Sequence, residues 1–279
     1  MTNEIFGLYS ELYEIACEED DTRLKTFADN QFYGRFLELP ADVVGYNRYF
    51  GWYKEAGSAE NFGEWLDLYH NKKEKRPVCL SEYGGGGAIS QHKDNVDWES
   101  DIDPVGVRHY ENYQSQLHEI LWKQFSVRKY LWAEFIWCIF DFASYGRTEG
   151  DTKSQNDKGL CTRERIPKDV YFFYRSVWSS EKTVYITERR HEFRACDVPF
   201  VKVYSNADAV ELYINDASHG RISRCELPDD ESTVFVWENI KIKPGTKNKI
   251  CAKAYFSDGT STSDYALCCL LYTSDAADD

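Results

Sequence analysis

The sequence predicts an α/β region followed by an all-β region, on three observations. From about residue 5 to residue 178, short apolar runs of strand character alternate with helical apolar stripes, the pattern of a parallel sheet with helical crossovers. From about residue 181 the apolar runs become short and partly alternating, with turn residues between them, as in an antiparallel β-sandwich of immunoglobulin type. The third observation is Pro77-Val78-Cys79-Leu80-Ser81-Glu82-Tyr83, a strand that ends on a carboxylate and runs into Gly84, Gly85, Gly86 and Gly87. In α/β barrels the chemistry sits at the C-terminal ends of the parallel strands, so a Glu placed there is positioned to react, and glycines directly after it let backbone and substrate approach closely. Only about four strand–helix units are present, against the eight of a closed α/β barrel.

In order along the chain, Ile5, Leu8, Tyr9, Leu12, Ile15 and Ala16 recur at helical spacing. Leu24–Ala28 is predicted as a strand, and Val43–Tyr46 as the next, opening into an aromatic loop through Tyr53. Phe62, Trp65, Leu66 and Tyr69 mark a helix, and Val78–Ser81 a strand. The stripe Tyr110, Tyr113, Leu117, Ile120, Leu121 and Phe125 marks a long amphipathic helix. Leu131–Trp137 is a fourth strand, and Val170–Val177 lies in a final helix. Beyond Trp178 the strands are Phe200–Tyr204, Val210–Ile214, Val234–Trp237 and Ile250–Tyr255. Asn215-Asp216, Pro244-Gly245 and Asp258-Gly259 supply turns between them. The predicted domains are therefore 1–178, a partial barrel, and 181–267, a sandwich. Residues 268–279, including Cys268 and Cys269, are read as a non-native-looking tail, because Leu270–Asp279 continue no strand pattern.

A formal charge of −14, from 33 basic and 47 acidic residues, excludes a nucleic-acid partner, since no basic stripe is present to neutralise phosphates. No apolar run approaches the roughly 20 residues of a membrane span. The aromatic content of 16% suits carbohydrate, whose apolar faces pack on flat rings. Nine scattered cysteines form no metal-ligand spacing, and their odd count favours a reducing, cytoplasmic location.

The Asn47-Arg48-Tyr49, Ser81-Glu82-Tyr83-Gly84 and Trp137…Asp141-Phe142 blocks occur in an order that resembles glycoside hydrolase family 2, the β-galactosidase and β-glucuronidase family. The resemblance runs from about Glu4 to Trp178 and into the domain behind it. It implies the C-terminal half of a catalytic (β/α)8 TIM barrel, the chain being part of a longer enzyme, and a retaining mechanism, which needs two carboxyl groups about 5–5.5 Å apart. By this resemblance Glu82 is the nucleophile. Its alternatives are a structural role paired with Arg48, or replacement in the role by Glu134, which lies inside a strand. Glu4 of the Asn3-Glu4 pair is the acid/base by the same resemblance, although the strand meant to hold it is absent and the stretch to Thr22-Arg23 is short. Tyr49 corresponds to the tyrosine that hydrogen-bonds the nucleophile; a phenol donating to a carboxylate stabilises its charged form. Asn47 and Trp137 fall at substrate-binding positions, Trp137 as the floor of the sugar subsite. His92, in the loop after the glycines, reads as structural.

The expected reaction is hydrolysis of terminal β-D-galactosides by double displacement. No cofactor is required. Mg²⁺ or Na⁺ is compatible with the chemistry, but no ligand pattern indicates either. The partner is a carbohydrate substrate, and homo-oligomer formation stays open. A β-glucuronidase is the alternative, because Asn156-Asp157-Lys158 has the Asn-x-Lys spacing that holds the C6 carboxylate in that branch. Against it, the Gly146–Thr152 run resembles the galactosidase branch, and Glu149, Asp151 and Asp157 would oppose an anion or pair with Lys158. A different class of reading is a non-catalytic module whose sandwich only contacts carbohydrate or a neighbouring domain.

Overall fold

The computed structural model describes residues 2–30, 37–194, 198, 200–228 and 232–271. The chain divides into two compact units. The first comprises Met1–Gly85, Trp98–Ser100 and Leu117–Ile139; the second comprises Gly86–Asp97, Asp101–Gln116 and Phe140–Asp279.

The first unit is built on four parallel strands, β1 (Ala28–Asp29), β2 (Val44–Asn47), β3 (Val78–Tyr83) and β4 (Leu131–Ile136), hydrogen-bonded in sequence order. Helix α1 (Asn3–Glu19) precedes β1, α2 (Phe62–Lys72) links β2 to β3, and the short α3 (Trp98–Asp101) and long α4 (Glu111–Phe125) follow β3. Parallel strands need such crossovers, which explains the alternation read from the sequence. β2 and β3 are nearly continuous in buried residues, as sheets covered on both faces require. Phe50 stacks on Phe62 at 4.3 Å, and Phe125 meets Phe62 and Tyr83 edge-on at 5.2 and 5.0 Å.

One prediction is corrected here. The strand expected at Leu24–Ala28 pairs only at Ala28–Asp29. The Lys25 amide is taken by the Asp42 carboxylate at 2.8 Å, and its carbonyl accepts from the Asp42 and Val43 amides, so this stretch is extended but outside the ladder. The stripe on α1 is helical as expected, yet Ile5, Leu8, Leu12 and Ile15 are each 45–53% exposed. β1 and β4 form the edges of the sheet, and Trp132 and Phe135 on β4 are exposed.

In the second unit, β5 (Phe142–Ala143) and β6 (Gln155–Asn156) pair antiparallel, and helix α5 (Asp169–Trp178) follows. Behind it come β7 (Val184–Ile186), β8 (Phe193–Arg194), β9 (Phe200–Ser205), β10 (Ala209–Ile214), β11 (Ala217–Ser223), β12 (Val234–Glu238), β13 (Lys247–Tyr255) and β14 (Ser261–Leu270). They form a five-stranded sheet, β11-β10-β13-β14-β8, and a three-stranded sheet, β12-β9-β7. One apolar core unites the two, with Val201, Val203, Phe235 and Trp237 from the smaller sheet and Val210, Leu212, Ala252 and Ala254 from the larger. Asn215 and Asp216 both take positive φ between β10 and β11, a two-residue type I′ hairpin loop.

The 268–279 boundary is also corrected. β14 continues through Leu270, with Cys268, Cys269 and Leu270 buried and Cys269 paired to both Lys247 and Phe193. The Ala266–Leu270 stretch is thus the mostly buried end of a long strand. The remainder of the expected tail, 272–279, lies outside the described residues, as does Cys196. The other eight cysteines are free thiols. Among the described residues no helix is long and apolar enough to cross a membrane.

Candidate active site

Glu82 is the penultimate residue of β3, half-buried, and stands in register with Asn47 at the end of β2. Two residues past the end of β2, Tyr49 donates its phenol hydrogen to Glu82 Oε2 at 2.6 Å. Burial, and then the Glu82 carboxylate, push the Tyr49 phenol far above its ordinary value, so the hydroxyl stays a donor. Beside it the Ser81 hydroxyl donates to Asn47 Oδ1 at 2.7 Å. Arg48, fully buried between these residues, points elsewhere: its guanidinium lies 3.6 Å from the Asp29 carboxylate and donates to the Asp29 and Asn47 carbonyls at 2.9 and 2.7 Å. The two neighbours in Arg48-Tyr49 thus serve different carboxylates, Arg48 the end of β1 and Tyr49 the end of β3.

Trp137 follows β4 directly, partly exposed, with its amide bonded to the Tyr83 carbonyl at 3.1 Å. The peptide between Trp137 and Cys138 is cis. Glu134 lies two residues before the end of β4, half-buried, and burial raises its carboxyl. The glycines after β3 prove to be packing residues. Gly84 has φ +122°, and a Cβ there would come within 2.7 Å of the His118 ring on α4. At Gly85 a Cβ would meet Leu117 and Trp52, and at Gly87 it would meet Gln114. Their lack of side chains serves the approach of α4, where the sequence suggested approach of a substrate.

Glu4 occupies the first turn of α1 and is exposed. The strand end expected to hold it is not formed, because Asn3 already begins the helix.

Asn156 and Lys158 belong to the second unit. Both are buried, and the Lys158 amide donates to Asn156 Oδ1 at 3.0 Å. The acids expected to oppose or neutralise Lys158 each have another partner. Asp157 accepts from His109 Nδ1 at 2.7 Å, Glu149 is bonded to Arg147, and Asp151 accepts from the Ser90 hydroxyl at 2.5 Å. Burial alone would raise Asp157; the His109 bond and the Lys168 and Lys158 charges outweigh it and hold the carboxyl below its ordinary value.

Sequence reasoning missed Lys168. It is fully buried at the N-cap of α5, and its ammonium donates to Asp141 Oδ1 at 2.8 Å, the Gly87 carbonyl at 2.6 Å and the Asp157 carbonyl at 2.8 Å. Burial pushes the Asp141 carboxyl up to about 6 even with Lys168 opposing. Nothing in Pro167-Lys168-Asp169 signals this, since its partners lie 11 to 81 residues away.

His92 is structural, as expected. Its Nε2 lies 2.9 Å from the fully buried Glu111 carboxylate, and its ring stacks on His191 at 5.5 Å. Among the described residues one group, Asp94, Glu188 and His191, has metal-ligand convergence. Arg194 already bonds both of its carboxylates, at 2.8 and 2.9 Å, and supplies the positive charge a cation would bring.

Residues 5–183 match the family model described as glycosyl hydrolases family 2, TIM barrel domain, and residues 198–263 match a domain of unknown function, DUF4982. The chain is 35% identical to a β-glucuronidase of Bacteroides fragilis, over 84% of this chain and 32% of that protein. It is 27% identical to a putative β-glucuronidase of Formosa agariphila, over 94% and 33%. A solved structure of a putative β-galactosidase from Bacteroides fragilis superposes with a TM-score of 0.84 at 27% identity, covering 95% of this chain and 38% of that one. The chain spans about a third of the length of the curated relatives it matches. Its four parallel strands are accordingly part of a TIM barrel, and the chain belongs to glycosyl hydrolases family 2.

Proposed function

We propose that this chain carries the C-terminal half of the catalytic barrel of a retaining exo-β-glycosidase, with Glu82 as the nucleophile. The observation that carries this is the 2.6 Å hydrogen bond from Tyr49 to Glu82 at the C-terminal end of a central parallel strand. Glu82 attacks the anomeric carbon as the glycosidic bond breaks, and the leaving oxygen takes a proton from the acid/base. The same group then deprotonates water, which releases the sugar from Glu82. We assign the acid/base to Glu4 on its Asn3-Glu4 motif, Asn47 to the substrate and Trp137 to the floor of the sugar subsite. The reaction runs without a cofactor.

The substrate we propose is a β-glucuronide, with Asn156 and Lys158 on the C6 carboxylate. An ammonium beside an amide donor suits that group. The partners of Asp157, Glu149 and Asp151 weaken the argument that these acids stand against an anionic sugar. The names of the curated relatives point the same way. This reverses the order expected from the sequence. A β-galactoside is the second reading, favoured by the Gly146–Thr152 run and by the likeness to the putative β-galactosidase. We read the two-sheet domain after Trp178 as immunoglobulin-like, and the free cysteines support a cytoplasmic location.

The test compares nitrophenyl β-glucuronide with β-galactoside on the full-length enzyme, with Lys158→Ala and Glu82→Gln alongside. Preference for the glucuronide, lost selectively in Lys158→Ala, is the expected result. A galactoside preference untouched by Lys158→Ala would establish the second reading. Covalent labelling by a 2-deoxy-2-fluoro glycoside should map to Glu82, and labelling of Glu134 would reassign the nucleophile.

A further inference from the structure

We propose that Lys168 is a positioning residue that sets sugar selectivity by fixing the loop bearing Asn156 and Lys158. This rests on the reading of those two residues as the C6-carboxylate clasp.

The Lys168 ammonium has three donors, and all three are used inside the protein. Two of them tie together chain segments far apart in sequence, the Gly87 carbonyl after β3 and the Asp157 carbonyl between Asn156 and Lys158. The Gly87 amide also donates to that Asp157 carbonyl, at 3.1 Å. The third donor goes to Asp141, whose same oxygen accepts the Gly159 amide at 2.8 Å. The peptides on both sides of Lys158 are therefore pinned to one buried ion pair, while His109 holds the Asp157 side chain. Gly159 leaves no slack, because a Cβ there would collide with the Asp141 amide and the Cys161 carbonyl.

Stability alone does not account for this arrangement. A cation at a helix N-terminus opposes the helix dipole, and Lys168 is the N-cap of α5. Burying an ion pair costs desolvation that apolar residues of similar volume avoid, and one attested return on that cost is the imposition of a single arrangement. Here the arrangement imposed is the course of Asn156–Gly159. A clasp for a carboxylate needs its groups held within fractions of an ångström, and rigid support behind the contacting residues supplies that.

The test uses the full-length enzyme with Lys168→Met and with the double variant Lys168→Met/Asp141→Asn, which removes both buried charges and avoids stranding one. Three measurements are made: thermal melting, hydrogen exchange of peptides covering 84–90 and 154–161, and kcat and KM for nitrophenyl β-glucuronide and β-galactoside. The double variant should melt near the parent and exchange faster in those peptides. Its glucuronide-to-galactoside ratio of kcat/KM should fall about tenfold or more, with KM for the glucuronide carrying the loss. A folded double variant with unchanged exchange and a ratio within twofold of the parent overturns the proposal. A double variant that does not fold also overturns it, by making the pair a stability element. A parent that does not prefer the glucuronide refutes the carboxylate reading instead, and the exchange measurement then decides the role of Lys168 by itself.

Discussion

Replacing Tyr49 by Phe removes one hydroxyl and little else. The ring keeps its edge-on contact with Tyr53 at 5.5 Å, while the 2.6 Å bond to Glu82 is lost. A hydrogen bond to a charged group contributes about 1.5–3 kcal/mol net. At about 1.4 kcal/mol per tenfold, that corresponds to a loss of about tenfold to 150-fold in rate. The loss should fall most on the second displacement, in which Glu82 leaves as a carboxylate and the phenol stabilises the charge it regains. Stopped-flow release of nitrophenolate by the full-length enzyme is the assay. Tyr49→Phe should show an initial burst followed by a slower steady state, as glycosyl-enzyme accumulates, whereas Glu82→Gln should show neither. Because burial holds the Tyr49 phenol far above its ordinary value, the parent should show no loss of activity from its ionisation through weakly alkaline pH. A Tyr49→Phe enzyme with kcat and kcat/KM within twofold of the parent would refute the assignment and leave Tyr49 as a packing residue.

The 279-residue chain by itself should show negligible glycosidase turnover and poor solubility, because α1 exposes Ile5, Leu8, Leu12 and Ile15 and the sheet ends in two open edges; turnover of a nitrophenyl glycoside at about 1 per second or faster would contradict this. Asp141 should make stability depend on pH, because burial raises its folded pKa from 3.8 to about 6. A raised acid contributes stability that is complete below about pH 4 and is lost as pH rises through about 6, here about 3 kcal/mol. Denaturant midpoints from pH 4.5 to 7.5 should therefore show Asp141→Asn gaining on the parent as pH rises, and a difference independent of pH would remove Asp141 from the account.

Much of the candidate site was legible because it depends on short-range pattern. The apolar run Val78–Leu80 and the glycines from Gly84 onward bound β3 locally, so a Glu near its C-terminal end is read from Val78–Gly87 alone. Parallel pairing in sequence order follows from strand–helix alternation, whereas the bond from Tyr49 to Glu82 was expected only from the family resemblance. Three misreadings came from long-range terms. The glycines after Glu82 look like a substrate loop in sequence, and only the approach of α4 shows that His118, Leu117 and Gln114 require them. β11 and the outer half of β14 have polar, exposed sequences and become strands through the ladder with β10 and β13, a stabilisation no local window contains. The clamp on the 156–159 loop was invisible for the same reason. Lys168 looks like any surface cation, and its burial is tolerable only because Asp141 and two carbonyls from distant segments converge on it. Periodicity reports which face of an element is apolar, whereas the free energy of a buried charge is set by groups that only the tertiary fold brings within 3 Å.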